Sequence, residues 1–264
     1  MRICVLVKEV PDAGARKKID PVSGRLDRSV EPALNPYDTH AIEEALQIRE
    51  GGSAPVEEIV VVTMGPDSAT KALDRAVALG ADRAVHLSDE ALTGSDVVAT
   101  GYALAKTLER ENPDLVLLGQ QSDDGECYTM GAIVAEYLGM PSLTQVIGLE
   151  LKGDTLTLER QAEYGYDTVE VTLPAVISVG DAINTARYPN IKAIMGAKKK
   201  PRDKLSIADT DIEPDRVGET GSRVVCGDFT DPPSKEAGTI IEDVDADTAV
   251  AQIVDWLDER KLLA

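Results

Sequence analysis

Short apolar runs with little alternation recur along the chain, at 3–7, 59–63, 83–87, 115–118 and 175–179. They are rich in Val, Ile and Leu, the pattern of strands buried on both faces. Helical spacing fills the gaps. Asp38 reads as the cap of a helix running to Glu50, with Ile42, Ala45 and Leu46 on one face. Ser68 opens a second helix that stops at Gly80, and Ser95 caps a third running to about Glu109. Strands alternating with helices predict an α/β fold with a doubly wound, mostly parallel sheet.

The pattern changes after Pro141. Residues 149–151 and 155–159 flank Lys152-Gly153-Asp154, a turn signal, and 168–173 alternates, which predicts an antiparallel extension. From Lys198 onward the chain is polar and rich in Pro, Gly and Asp. One further amphipathic helix, over about 246–260, carries Val250, Ile253, Val254 and Leu257 on one stripe. The expected organisation is a nucleotide-binding domain over 1–200 and a tail over 201–264. A tail with a single amphipathic helix cannot build its own core, so it is expected to lie along the first domain or, as the organisation favours, along a partner subunit.

The stretch 115–131 is the most informative. An apolar strand ends at Gly119, crosses a polar loop and enters a helix near Tyr128. A strand opening into a helix start presents backbone N–H groups at the carboxyl edge of a sheet, a geometry that suits nucleotide phosphates. The loop nevertheless carries Asp123, Asp124 and Glu126, whose charges should repel a phosphate.

Acidic residues outnumber basic ones 47 to 27, a formal charge of −20, which argues against nonspecific binding to nucleic acid or anionic membranes. No run approaches the ~20 apolar residues of a membrane span, so no membrane insertion is expected. Cys4, Cys127 and Cys226 are widely spaced and read as reduced thiols in a cytoplasmic protein. His40 and His86 stand apart without metal-ligand spacing. No GxSxG, Walker or GxGxxG motif occurs. Neither a catalytic side chain nor a metal site is expected, and any redox chemistry must come from a cofactor.

Seven segments together resemble the beta subunit of electron transfer flavoproteins. They are LVKEVPD (6–12), NPYDTHAIEEAL (35–46), MGP (64–66), ALGADRAVHL (78–87), DLVLLGQQSDDGECYTMG (114–131), LPAVISV (173–179) and RYPNIKAIMGAKKKP (187–201). The resemblance implies a Rossmann-like subunit of the adenine-nucleotide-binding type, in a heterodimer with an alpha subunit that holds the redox-active FAD. Such a heterodimer carries electrons from dehydrogenases to a membrane quinone reductase, and its beta subunit holds a structural AMP. A bifurcating branch instead holds a second FAD in the beta subunit and oxidises NADH. Residues 94–100 match that branch only in part, which favours the carrier. A stand-alone adenine-nucleotide-binding protein is a third reading, and the tail argues against it.

Carried over residue by residue, the resemblance puts nucleotide contacts on Leu6, Asn35, Pro36, Tyr37, Asp38 and Met64. They continue over Ser122, Asp123, Asp124, Gly125, Glu126, Cys127, Tyr128, Thr129, Met130, Gly131, Ala132 and Ile133. Backbone amides would hold the phosphate, leaving Asp124 or Glu126 to accept from ribose hydroxyls or to cap the helix. Tyr128 and Thr129 stand where many relatives have Asn or Gln. Tyr37 occupies a position whose ring approaches the alpha-subunit flavin, while Ala13 stands where some relatives have a second aromatic.

Residues 187–200 gather Arg187, Lys198, Lys199 and Lys200 around Tyr188, Ile191, Ile194 and Met195. Apolar anchors ringed by charge have the composition of a docking patch. In the family this is the recognition loop, here 184–200, whose apolar anchor enters partner dehydrogenases. By alignment that anchor is Ile191. Thr185, Ala186 and Gly196 depart from the family pattern, which implies a different choice of partner.

Overall fold

The computed structural model describes residues 1–21, 24–224, 227 and 238–263. Two compact units divide the chain, Met1–Cys226 and Gly227–Ala264. The first unit begins with β1 (Arg2–Leu6), β2 (Glu9–Pro11), β3 (Pro32–Leu34), α1 (Pro36–Gly51) and β4 (Glu58–Met64). It continues with α2 (Thr70–Leu79), β5 (Arg83–Leu87), α3 (Val97–Glu111), β6 (Leu115–Gly119) and α4 (Met130–Leu138). Then come β7 (Ser142–Lys152), β8 (Thr155–Ala162), β9 (Gly165–Thr172), β10 (Ala175–Val179), α5 (Ile191–Ala197) and β11 (Arg202–Leu205).

Among the described residues nine strands form one sheet in the order β11-β5-β4-β1-β6-β10-β7-β8-β9. All neighbours from β11 to β7 are parallel, and β8 and β9 add the antiparallel extension. The α/β class, the parallel centre and the extension expected from the sequence are all present. β2 and β3 make a separate antiparallel ribbon.

Alternate residues of single strands serve opposite layers, which is why these strands read as unbroken apolar runs. On one face Ile3, Val5, Ile59, Val61, Leu115 and Leu117 pack with Ile42 and Leu46 of α1 and Leu73 of α2. On the other, Cys4, Leu6, Val60, Val62, Val116 and Leu118 pack with Leu104 and Leu108 of α3 and Val134 of α4. Cys4 and Cys127 are free thiols, while Cys226 lies outside the described residues.

Helix starts differ from the expected ones by a residue or more. α1 begins at Pro36 with Asn35 as its cap residue; Asp38 sits inside the first turn and bonds elsewhere. Asp96, not Ser95, caps α3, accepting from the Ala99 amide at 2.8 Å. Ser68 falls in a one-turn 3-10 segment ahead of α2. The expected division at residue 200 also lies inside the first unit, because β11 pairs with β5 and Ile212 and Val217 are buried beside Leu87 and Tyr102.

Described residues of the second unit contain the helix Ala246–Glu259, capped by Asp245. None of this helix is buried, and Val250, Ile253, Val254 and Trp256 are exposed along it. Among the described residues no helix is long and apolar enough to cross a membrane.

Candidate functional site

After β1 the chain builds outward through β4 and β5, then returns to place β6 on the other side of β1. The carboxyl ends of β1 and β6 therefore open a crevice at a topological switch point, where parallel sheets bind ligands. A cavity of about 380 Å³ occupies this position. Leu6, Val7 and Lys8 come from the end of β1, Val62 and Met64 from β4, and Leu118 and Gly119 from β6. Ser95, Asp96, Val97 and Thr100 bring the start of α3, Met130 the start of α4, and Gln120 to Ser122 the loop between.

Asn35 and Asp38 tie these strand ends together. The buried Asp38 carboxylate accepts from the amides of Lys8 (2.8 Å) and Gly119 (3.2 Å) and from Asn35 Nδ2 (2.9 Å). Asn35 Nδ2 also donates to Gln121 O at 2.9 Å, and Asn35 Oδ1 accepts from the Asp123 amide at 3.0 Å. One side-chain pair thus joins β1, α1, β6 and the 120–123 loop. Burial pushes the Asp38 carboxyl up to about 7, against the pull of these three N–H donors.

The acidic loop is neutralised by cations from the start of the chain. The Asp124 carboxylate is 1% exposed and pairs with Lys8 Nζ at 2.7 Å and with the Arg28 guanidinium. Lys8 Nζ also donates to Ser122 Oγ at 3.2 Å. Asp123 pairs with Lys17 at 2.7 Å. Both cations of the Asp124 cluster line the cavity, so the loop presents Lys8 and Arg28 to it rather than bare carboxylates. Burial works to raise the Asp124 carboxyl, but Lys8, Ser122 and Arg28 bring it down to about 2.

The expected assignment of Asp124 to a ribose hydroxyl or a helix cap is therefore corrected, since its oxygens are committed to Lys8 and Arg28. Glu126 does not cap α4 either, because Thr129 holds the cap position and among the described residues no side chain caps that helix. The first-turn N–H groups of α4 keep their anion-binding potential where Tyr128 and Met130 border the cavity. Gln121 Oε1 is buried there without a partner among the described residues, a polar atom that a bound group would satisfy.

Asp124 also yields a pH prediction. Its folded pKa lies below its unfolded value near 4, so its contribution to stability is present above that value and lost as pH falls toward 2. Lys8 and Arg28 are nearly half exposed and screen the cluster, which leaves roughly 1–2 kcal/mol. Chemical denaturation of Asp124→Asn should show a flatter pH dependence than the parent between about pH 4 and 2; parallel curves would refute the assignment.

Of the residues that the resemblance nominated, Leu6, Asn35, Asp38, Met64, Ser122, Gly125, Cys127, Tyr128 and Met130 line the cavity. Pro36, Tyr37, Asp123, Asp124, Glu126, Thr129, Gly131, Ala132 and Ile133 do not. Gly131 packs on Ser178 and Leu118, and Ile133 against Gly101 of α3. Tyr37 is partly exposed on the first turn of α1. Lys8, Arg28 and residues 95–97 line the cavity as well, and nothing in their local sequence marks them as lining residues. Lys8 stands two residues past the end of β1, and Ser95 belongs both to the helix start and to the 94–100 stretch that partly matches the bifurcating branch.

In the 184–200 loop the basic residues serve two purposes. Arg187 bonds Glu43 (2.7 Å) and Glu50 (2.7 Å), and Asn184 bonds His40 O and Glu44 (both 3.0 Å), fastening the base of the loop to α1. Lys200 turns inward to Ala81 O at 2.6 Å, and burial lowers its pKa. Arg187 and Lys200 are thus anchors of the loop, whereas Tyr188, Ile191, Ile194, Met195, Lys198 and Lys199 stand exposed. Among the described residues no cluster of His, Cys, Asp and Glu could hold a metal ion.

A family model described as an electron transfer flavoprotein domain matches residues 24–210. The chain is 42% identical, over 99% of both chains, to electron transfer flavoprotein subunit beta of Mycobacterium tuberculosis. It is 38% identical, over the full length of both, to the subunit of the same name from Thermoanaerobacterium thermosaccharolyticum. It is 34% identical, again over both full lengths, to caffeyl-CoA reductase-Etf complex subunit CarD of Acetobacterium woodii.

Proposed function

The chain belongs to the electron transfer flavoprotein family as a beta subunit, and on that footing we propose that it pairs with an FAD-bearing alpha subunit to carry electrons from dehydrogenases to a membrane quinone reductase. In this role it holds a structural AMP in the β1–β6 crevice. One observation carries the nucleotide assignment. The cavity joins an uncapped helix start to two cations that a buried carboxylate holds in place. Helix dipole and cations both favour a phosphate, and the apolar wall of Leu6, Val62, Met64 and Leu104 suits a purine. Within its own unit the tail helix leaves Val250, Ile253 and Val254 uncovered, an apolar stripe that a partner subunit would cover.

No side chain of this subunit is assigned to bond-making. Its part is to bind, orient and shield, while the partner's flavin supplies the electron chemistry. The exposed 188–199 segment would meet the dehydrogenase, and Tyr37 would lie toward the partner's flavin.

A second reading draws on the likeness to CarD, which is named as a subunit of a reductase complex. In it the crevice holds a second FAD and the heterodimer oxidises NADH. Denaturing the purified heterodimer and quantifying the released nucleotides separates the two. One FAD and one AMP are expected; two FAD with no AMP would establish the second reading. One FAD and no other adenine nucleotide would remove the nucleotide assignment.

A further inference from the structure

Residues 218–224 lie across the start of α3 and are stitched to the three residues before it. The Gly218 amide donates to Ser95 Oγ at 2.8 Å, and the Asp96 amide donates to Ser222 Oγ at 2.8 Å. The Ser222 hydroxyl has Gly94 O at 2.9 Å and Gly218 O at 2.8 Å as acceptors. The amides of Arg223 and Val224 both donate to Asp96 Oδ2, at 2.7 and 2.9 Å. Asp96 therefore divides its carboxylate, with Oδ1 capping α3 through Ala99 and Oδ2 holding the 223–224 backbone.

The fit is tight as well as polar. A Cβ on Gly94 would lie 2.2 Å from Glu219 Cγ, and one on Gly218 would lie 2.5 Å from Ala91 O. Upstream, Val217 is buried, and the Arg216 guanidinium sits 3.8 Å above the Tyr102 ring of α3. Ser95, Asp96 and Val97 are also one wall of the cavity. Ser95 and Asp96 thus face the cavity on one side and the 218–224 segment on the other.

We propose that residues 218–224 are a clasp on the nucleotide cavity, with Ser222 and Asp96 as positioning residues that keep the 95–97 wall in its binding shape. The proposal rests on the reading that the cavity takes an adenine nucleotide. A loop wall left unheld must be ordered when ligand binds, at a cost to affinity; a wall held beforehand is spared it. Linkage makes the effect reciprocal, so a bound nucleotide must tighten the clasp as much as the clasp tightens the nucleotide.

Ser222 does not line the cavity, so its effect on ligand can pass only through the wall. In the purified heterodimer, Ser222→Ala is expected to release AMP about fivefold faster, the size of effect when a hydrogen-bonding hub is lost. Arg223→Pro, which deletes one of the two donors to Asp96, should act in the same direction. Amide exchange at Arg223 and Val224 should slow on adding AMP to nucleotide-depleted heterodimer, a response that a purely structural role would not produce. Unchanged AMP release in both variants, with exchange at 223–224 indifferent to AMP, overturns the clasp and leaves the nucleotide site standing. A parent heterodimer that binds neither AMP nor FAD in this subunit removes the nucleotide reading and the clasp together.

Discussion

Gly119→Ala is expected to destabilise the protein and empty the proposed nucleotide site together. Gly119 ends β6 where the first turn of α1 crosses it. A Cβ there would lie 2.6 Å from Tyr37 Cβ, 2.7 Å from the Tyr37 carbonyl carbon and 2.7 Å from Asp38 Oδ1. Two of these atoms are backbone or next to it, so no rotamer change relieves the overlap. The helix start must move, and with it the Asp38 carboxylate that clamps the ends of β1 and β6. Overpacking of this kind costs about 2 kcal/mol or more, lowering Tm by roughly 5 °C in a chain of this size. Because Asp38 and Gly119 line the cavity, nucleotide retention should fall further than stability does. Gly51→Ala is the control, since nothing among the described residues lies within 4 Å of its Cβ position. Melting curves and nucleotide content of the two variants, measured together, check the expectation; a Gly119→Ala protein that melts and retains nucleotide like the parent would refute it.

Ile191→Ala is expected to have the largest effect on electron transfer while leaving the subunit intact. Ile191 begins α5, capped by Asn190, and is 78% exposed. Tyr188, Ile194 and Met195 extend the apolar surface, and Lys198 and Lys199 flank it in a chain of net charge −20. The Arg187–Glu43–Glu50 cluster holds the base of the loop, so the anchor is presented on a braced support. An anchor of this type contributes about 2 kcal/mol to an interface, which corresponds to roughly thirtyfold slower reduction by a donor dehydrogenase at limiting concentration. Flavin content and Tm should not change, because the side chain touches little of its own chain. Rapid-mixing reduction kinetics decide it, and an unaltered rate would sink the docking assignment.

These two sites differ in how plainly the sequence announces them. Ile191 stands in a basic segment of an acidic chain, a contrast visible in composition alone. Gly119 is visible as the end of a strand, but the reason it must be glycine is the approach of Tyr37 and Asp38, about eighty positions away in sequence. Helix caps show the same divide. Asp38 and Ser95 are both good capping residue types close to a helix start, yet Asp38 is drawn to the amides of Lys8 and Gly119, and Asp96 is better placed than Ser95 for the Ala99 amide. Local propensity identifies that a helix starts; competition among nearby donors decides which side chain caps it.

Arg187 and Lys200 belong to the same lesson. In sequence they are part of one basic run with Lys198 and Lys199. In the fold Arg187 is captured by two glutamates of α1 and Lys200 by the carbonyl of Ala81. Charge composition locates a patch, but only packing separates the charges that face a partner from those that hold the patch in place.

From the sequence by itself came the strand runs, the parallel α/β class, the antiparallel extension and the strand-loop-helix at 115–131. Each rests on periodicity or local residue type, and those interactions span only a few positions. The tertiary structure alone decided what the acids of that loop do. Asp124 is neutralised by Lys8 and Arg28, residues 116 and 96 positions away, which the β1–β6 pairing and the long loop before β3 bring to one point. Coulomb interactions depend on distance in space rather than along the chain. A loop that in sequence should repel phosphate therefore presents, once folded, two cations to the cavity.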